Sequence, residues 1–103
     1  MAFGFPAYHK ERRKLSLGVE QTRQKVLKVL ALLEWEEIGF HPYALDYKTK
    51  GSMLTSGERV YINITDIEII LRSECMFFSQ IVDFGKNKAN IQLFWDAFDS
   101  IEA

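Results

Sequence analysis

Apolar residues recur along this chain in two rhythms, one helical and one extended, and the rhythm changes twice. From Gly18 onward Val19, Val26, Val29, Leu30 and Leu33 fall at three- and four-residue spacings, with Arg23, Lys25 and Lys28 off that stripe. This is the pattern of an amphipathic helix with one face turned to a core. Leu27 and Leu32 widen the apolar arc. Glycine accepts the left-handed conformation that closes a helix, so Gly39 predicts the stop and the helix is expected from about Gly18 to Ile38.

Period two then takes over. In "PYALDYKTKG" the residues Tyr43, Leu45 and Tyr47 alternate with Ala44, Asp46 and Lys48 before Gly51 and Ser52 break the run. "ERVYINI" sets Val60, Ile62 and Ile64 on one face, and "DIEIILRS" does the same with Ile67, Ile69 and Leu71. Each reads as a half-buried strand. Thr65-Asp66 separates the last two runs without a glycine, which leaves open a hairpin or one longer bent strand. "MFFSQIVDFG" predicts a fourth strand, with Met76, Phe78, Val82 and Phe84 on one side and Phe77 and Ile81 on the other, the loading of a central strand. The helical rhythm returns with Ile91, Phe94, Phe98 and Ile101, flanked by Leu93 and Trp95, and predicts a second helix from about Lys88 to Ile101.

The order helix, four strands, helix predicts an α+β fold, α-β-β-β-β-α. Its expected form is a four-stranded antiparallel meander with the N- and C-terminal helices packed on one face. Residues 1–16, "MAFGFPAYHKERRKLS", show neither rhythm and read as an aromatic and basic N-terminal arm. Residues 17–103 read as a single domain, the size that 103 residues allow.

Composition changes this picture in three places. Apolar residues are 48% of the chain and charged residues 26%, a globular balance, but eight Phe, four Tyr and two Trp make it rich in rings, as a packed core or a protein-binding surface would be. Trp35 and Trp95 could serve either role; at helical spacing both are expected in the core, with Trp35 the better candidate for exposure among Glu34, Glu36 and Glu37. The only cysteine, Cys75, excludes an intrachain disulfide, and the basic N-terminus lacks the apolar core of a signal peptide; a cytoplasmic protein, or one at the cytosolic face of a membrane, is expected. The net charge of -1 hides a division: residues 1–28 hold seven Lys or Arg against two Glu, a balance of +5, and residues 29–103 hold six against twelve Asp or Glu, a balance of -6. Complementarity within the chain or between copies accounts for this, as does a basic arm (Lys10, Arg12, Arg13, Lys14) meeting an anionic membrane or nucleic acid. Nothing that reads nucleic acid follows those cations, which disfavours that partner.

Candidate chemistry gathers at the corner "DFGKNK". One glycine and no hydroxyl after Lys86 exclude a Walker-type phosphate loop, which needs converging backbone N–H groups and a Ser or Thr at fixed offset. Gly85 is expected at positive φ, turning strand into helix, with Asn87 as the helix N-cap. Lys86 and Lys88 at a helix N-terminus are electrostatically misplaced unless an anion, or Asp83, lies beside them. Lys86, Asn87, Lys88 and Asp83 are therefore the candidate anion or partner site. His9 and His41 form no pair at metal-ligand spacing, and no cofactor motif occurs. No nucleophile elbow is present, and Glu74 beside Cys75 disfavours a thiolate.

The skeleton "S…Q…D-x-G-K-N-K-x-N", following two Ile-rich strands preceded by "GE", resembles an uncharacterised bacterial module of Bacteroidetes that sometimes accompanies membrane segments. The likeness covers about Val26 to Ile101, with Phe84 where that pattern has tryptophan. It implies an accessory or sensor-like domain. The function expected is a noncatalytic binding or accessory module that engages a protein partner or its own copy, without metal or cofactor. The alternatives are membrane or nucleic-acid attachment through the basic arm, and a small pocket enzyme using Asp46, Asp83 or Tyr61 as acid or base.

Overall fold

The computed structural model describes residues 8–49, 57–75 and 86–101. Their order is β1 (Tyr8–Lys14), α1 (Val19–Leu33), β2 (Glu36–His41), β3 (Ala44–Lys48), β4 (Glu58–Ile64), β5 (Glu68–Cys75) and α2 (Lys86–Ser100). All neighbouring strands are antiparallel, in the spatial order β1-β5-β4-β3-β2. The fold is thus α+β, with a five-stranded sheet among the described residues where four strands were expected and with a strand, not a helix, first among them.

Period two decides which sheet face is buried. Val60, Ile62 and Ile64 pair with or lie beside Ser73, Leu71, Ile69, Leu45 and Tyr47, and all are buried. Against that face α1 sets Thr22, Val26, Val29 and Leu30, and α2 sets Ile91, Phe94, Trp95 and Phe98. Phe94 is the hub: its ring lies 6.4 Å from Trp35, 5.5 Å from Trp95 and 6.2 Å from Phe98. Both tryptophans are therefore core residues, as expected, Trp35 included in spite of the glutamates around it. Its acidic neighbours point outward while the ring turns in.

Helix α1 ends five residues before the predicted stop. The stripe through Val26, Val29, Leu30 and Leu33 would next require an apolar residue at position 37, where Glu37 stands. Glu34 instead takes the left-handed conformation, φ 58°, and its N–H donates to Ala31 O at 3.2 Å. Gly39 belongs to β2, where the register slips between Glu37 and Gly39 as a bulge.

The predicted arm also contains structure. Tyr8 to Lys14 pair residue by residue with β5, from Tyr8 opposite Glu74 to Lys14 opposite Glu68. No apolar alternation marks this strand, because its inward positions are His9, Glu11 and Arg13. These polar chains are held from the helix side: Trp95 Nε1 donates to Glu11 Oε1 at 3.1 Å, Arg13 bridges to Asp99 at 2.5 Å and its guanidinium lies 4.0 Å over the Trp95 ring.

Between β4 and β5 the hairpin reading holds and the single bent strand does not. The Thr65 hydroxyl accepts from Glu68 N at 3.0 Å and Ile67 N at 3.3 Å, doing locally what a glycine turn does by conformation. The predicted strand over residues 76–84, Asp83 and Gly85 lie outside the described residues.

Candidate functional site

Two places stand out, one inside the fold and one on its surface. Inside, each apolar stripe ends in a polar residue at the same end of the molecule. Glu58 precedes Val60 on β4, Ser73 follows Leu71 on β5, Thr49 follows Tyr47 past the end of β3, and Asn87 and Asn90 precede Ile91 on α2; all five are buried. Gly57, at φ 97°, delivers the chain into β4 in a conformation that suits glycine. Thr49 N then donates to Glu58 O at 2.8 Å and Glu58 N to Thr49 Oγ1 at 2.9 Å.

The side chains bond one another in sequence. Thr49 Oγ1 donates to Glu58 Oε1 at 3.2 Å, and Asn90 Nδ2 donates to the same oxygen at 2.8 Å. Asn90 Nδ2 also reaches Ser73 Oγ at 3.3 Å, and Ser73 Oγ donates to Asn87 Oδ1 at 2.8 Å. Glu58 Oε2 is buried with no hydrogen-bond partner among the described residues. A carboxylate beside the first turn of a helix interacts favourably with the positive end of the helix dipole, one compensation for enclosing it. The cluster ties the start of α2 to three strands, and because its members are enclosed and bonded to one another it acts as a clip.

This arrangement gives one member of the predicted corner site a different role. Asn87 is a residue of α2, not its cap: the chain is already helical at Lys86, and the Asn87 carbonyl oxygen is taken by Ser73. Lys86 is half-buried and Lys88 exposed, while the Asn87 side chain is turned inward to Ser73. Asp83, the fourth member, lies outside the described residues. Glu58, Ser73, Asn90 and Thr49 were missed. The signal was a polar residue at the next core position of each stripe.

The basic arm is divided. Lys10, Arg12 and Lys14 project from the open face of β1, while Arg13 turns to the helices and is held by Asp99 and Trp95. Both helices cover one face of the sheet, so the other carries a ribbon of rings and charges across four strands. Arg59 grips Asp46 through Nε, which donates to Oδ1 at 2.9 Å and Oδ2 at 3.2 Å, and through Nη2 at 2.5 Å, and its guanidinium lies 5.1 Å from the Tyr61 ring centroid. The Tyr61 phenol is pushed above its ordinary range, first by burial and then by its hydrogen bond with Glu74. Glu74 in turn pairs with Arg72 at 3.2 Å, and Arg72 lies 4.4 Å over the half-exposed Tyr8 ring.

Two cavities bordered by described residues are small. One of about 100 Å³ is bordered by Arg13, Ser16, Lys25, Phe98 and Asp99, and another of about 240 Å³ by Val19, Tyr43, Ile64 and Asp66. Both fall below the roughly 300 Å³ at which small-molecule sites begin. Beside the second, Tyr43 donates to Glu20 at 3.0 Å, a surface contact that raises the phenol and, with Gln24, lowers the carboxyl. Among the described residues no three His, Cys, Asp or Glu side chains gather as metal ligands, and no helix is long and apolar enough to cross a membrane. Comparison with protein-family models, with curated proteins and with solved structures finds no match to this chain.

Proposed function

We propose that this chain is a noncatalytic binding module that docks another protein on the open face of its sheet. The observation that carries this reading is the Asp46–Arg59–Tyr61–Glu74–Arg72–Tyr8 ribbon, which spans β3, β4, β5 and β1 on the face the helices leave bare. Tyrosine and arginine are the residue types that dominate protein interfaces, because each offers a large rigid contact area with a polar tip. Here their guanidinium and ring planes are already fixed by in-plane partners, which reduces the ordering cost of docking. Lys10 stands opposite Arg72 at the border of the ribbon, and Lys14 lies farther along the same strand, both with no ion pair among the described residues, so the partner surface is expected to bring carboxylates to that side.

Attachment to an anionic membrane is weaker on the same geometry. Arg13 is used within the fold, leaving Lys10, Arg12 and Lys14 at on the order of 1 kcal/mol each near an anionic surface.

The test is site-specific photocrosslinking in cells from position 8, on the open face, against position 93 on the outer side of α2, where Tyr8 and Leu93 are equally exposed at 47% and 49%. One protein is expected from position 8 and not from position 93. Its purified form should bind the wild-type chain and lose about tenfold or more in affinity to Arg72→Ala, as an interface anchor would. Equal crosslinking from both positions, or undiminished binding to Arg72→Ala, would overturn the reading.

A further inference from the structure

We infer that copies of this chain associate head to tail, the outer edge of β1 in one copy joining the outer edge of β2 in the next. Among the described residues these are the two border strands of the sheet, and they carry opposite charge. β1 carries Lys10 and Lys14 beside Arg12, which pairs with Glu68, and β2 opens with Glu36 and Glu37. Three strands stand between them, so the two edges are about 19 Å apart at the usual strand spacing. That exceeds the roughly 8 Å over which charges interact at physiological salt. The division of charge along the sequence is therefore not neutralised edge to edge within one copy. Lys10, Lys14, Glu36 and Glu37 have no ion pair among the described residues.

Charged border strands, and a bulge such as the one between Glu37 and Gly39, protect a sheet from indiscriminate pairing. Protection by charge is selective, however. Joining β1 to β1 sets lysine and arginine against their like, and joining β2 to β2 sets glutamate against glutamate, both unfavourable in a ladder. Only β1 against β2 brings opposite charges together, so the repulsions that exclude the symmetric pairs select the asymmetric one.

Strand direction fixes the arrangement further. With five antiparallel strands, β1 and β2 run the same way. A copy placed by simple translation pairs them in parallel and sets Glu36 and Glu37 beside Tyr8 to Lys10. A copy turned over pairs them antiparallel, with helices on alternate faces, and sets the two glutamates opposite Arg12 to Lys14. The second arrangement matches the charges better. Because the joined surfaces differ, the contact is heterologous and does not close at two copies.

Lys10 and Lys14 stand on the open face beside this edge, but self-association is read on the isolated chain with no partner present, so its failure and the failure of partner docking are distinguished. The test is sedimentation velocity of the full chain over a concentration series at low ionic strength. The sedimentation coefficient is expected to rise past that of a dimer, and to fall back when salt is raised to about 0.5 M, where exposed pairs are screened. Lys10→Glu with Lys14→Glu makes both edges acidic, and Glu36→Lys with Glu37→Lys makes both basic. Each double variant alone should sediment as a monomer, and an equimolar mixture should associate again. Circular dichroism checks that both fold; should a reversal unfold the chain, Lys10→Gln with Lys14→Gln and Glu36→Gln with Glu37→Gln replace them, each weakening association without restoration on mixing. A wild-type monomer, a closed dimer, association of either reversed variant alone, or a mixture no larger than its parts overturns the inference.

Discussion

Glu58 occupies a position that the strand pattern reserves for the core. Stepping back by two from Ile62 and Val60 lands on it, just as Ser73 continues Ile69 and Leu71, and Asn87 and Asn90 continue Ile91, Phe94 and Phe98. Each polar substitution in a stripe was thus legible. That the three stripes end together, so that their polar residues satisfy one another, was not, because it depends on strand order. Glu58→Ala leaves Thr49 Oγ1 and Asn90 Nδ2 without their shared acceptor and should cost about 2 kcal/mol or more in urea unfolding, as an interrupted buried network does. Glu58→Gln keeps the accepting oxygen and removes the charge on Oε2, which has no partner among the described residues, so it should stay within about 1 kcal/mol of wild type. Equal damage from the two variants would show that the charge, not the acceptor, holds the clip. A second residue sets an alkaline limit. Burial, and then the charge of Glu37 across the sheet, raise the Tyr47 phenol above its ordinary 10.0. Below that pH the phenol is neutral folded and unfolded, and its contribution is fully present. As pH rises past 10.0 the unfolded chain ionises first, so stability declines towards the folded-state value. Melting temperatures between about pH 9 and 11 should fall less steeply for Tyr47→Phe than for wild type. Parallel slopes would exclude Tyr47 as the group responsible.

Among the elements, those with an apolar rhythm were legible and those without one were not. β3, β4, β5 and α2 stand within a few residues of their predicted places because Leu45, Tyr47, Val60, Ile62, Ile64, Ile69, Leu71, Ile91 and Phe94 declare their faces by spacing alone. The core stretch of α1 was legible for the same reason, but its end was not. Glycine is the usual left-handed residue, and Glu34 takes that conformation here, so Gly39 drew the boundary too far along the chain. The first half of β2 was hidden inside that overextended helix: Trp35 turns in, while Glu36 and Glu37 give an edge strand no apolar face of its own. At the start of α2 the expectation was right in place and wrong in role. Asn87 sits at the beginning of the helix, where asparagine is favoured, yet its oxygen serves Ser73 from within the first turn.

At the scale of the whole molecule, β1 decides whether the N-terminal segment is an appendage or part of the fold. It lies beside β5, some sixty residues away in sequence, and nothing local predicts that pairing. Its inward side chains are charged, and they become core-compatible only because α2 supplies Trp95 and Asp99 to receive Glu11 and Arg13. Stability should therefore depend on a segment that the apolar pattern assigns to an arm. Removing residues 1–14 deletes the pairing partner of β5 from Glu68 to Glu74, frees the Trp95 indole N–H, and opens the Trp95 and Ile69 side of the core to water. Each kcal/mol lost is worth about 4–8 °C in a domain of this size, so even a loss of two or three lowers the melting temperature by roughly 10 °C or more. An arm would behave otherwise: its removal would leave melting within a degree or two of wild type. Thermal unfolding of the shortened chain, followed by circular dichroism and by Trp fluorescence, separates the two cases. Fluorescence adds the decisive reading, because a red-shifted Trp emission before any loss of helix would place the damage at the β1–α2 contact and not in a general weakening of the sheet.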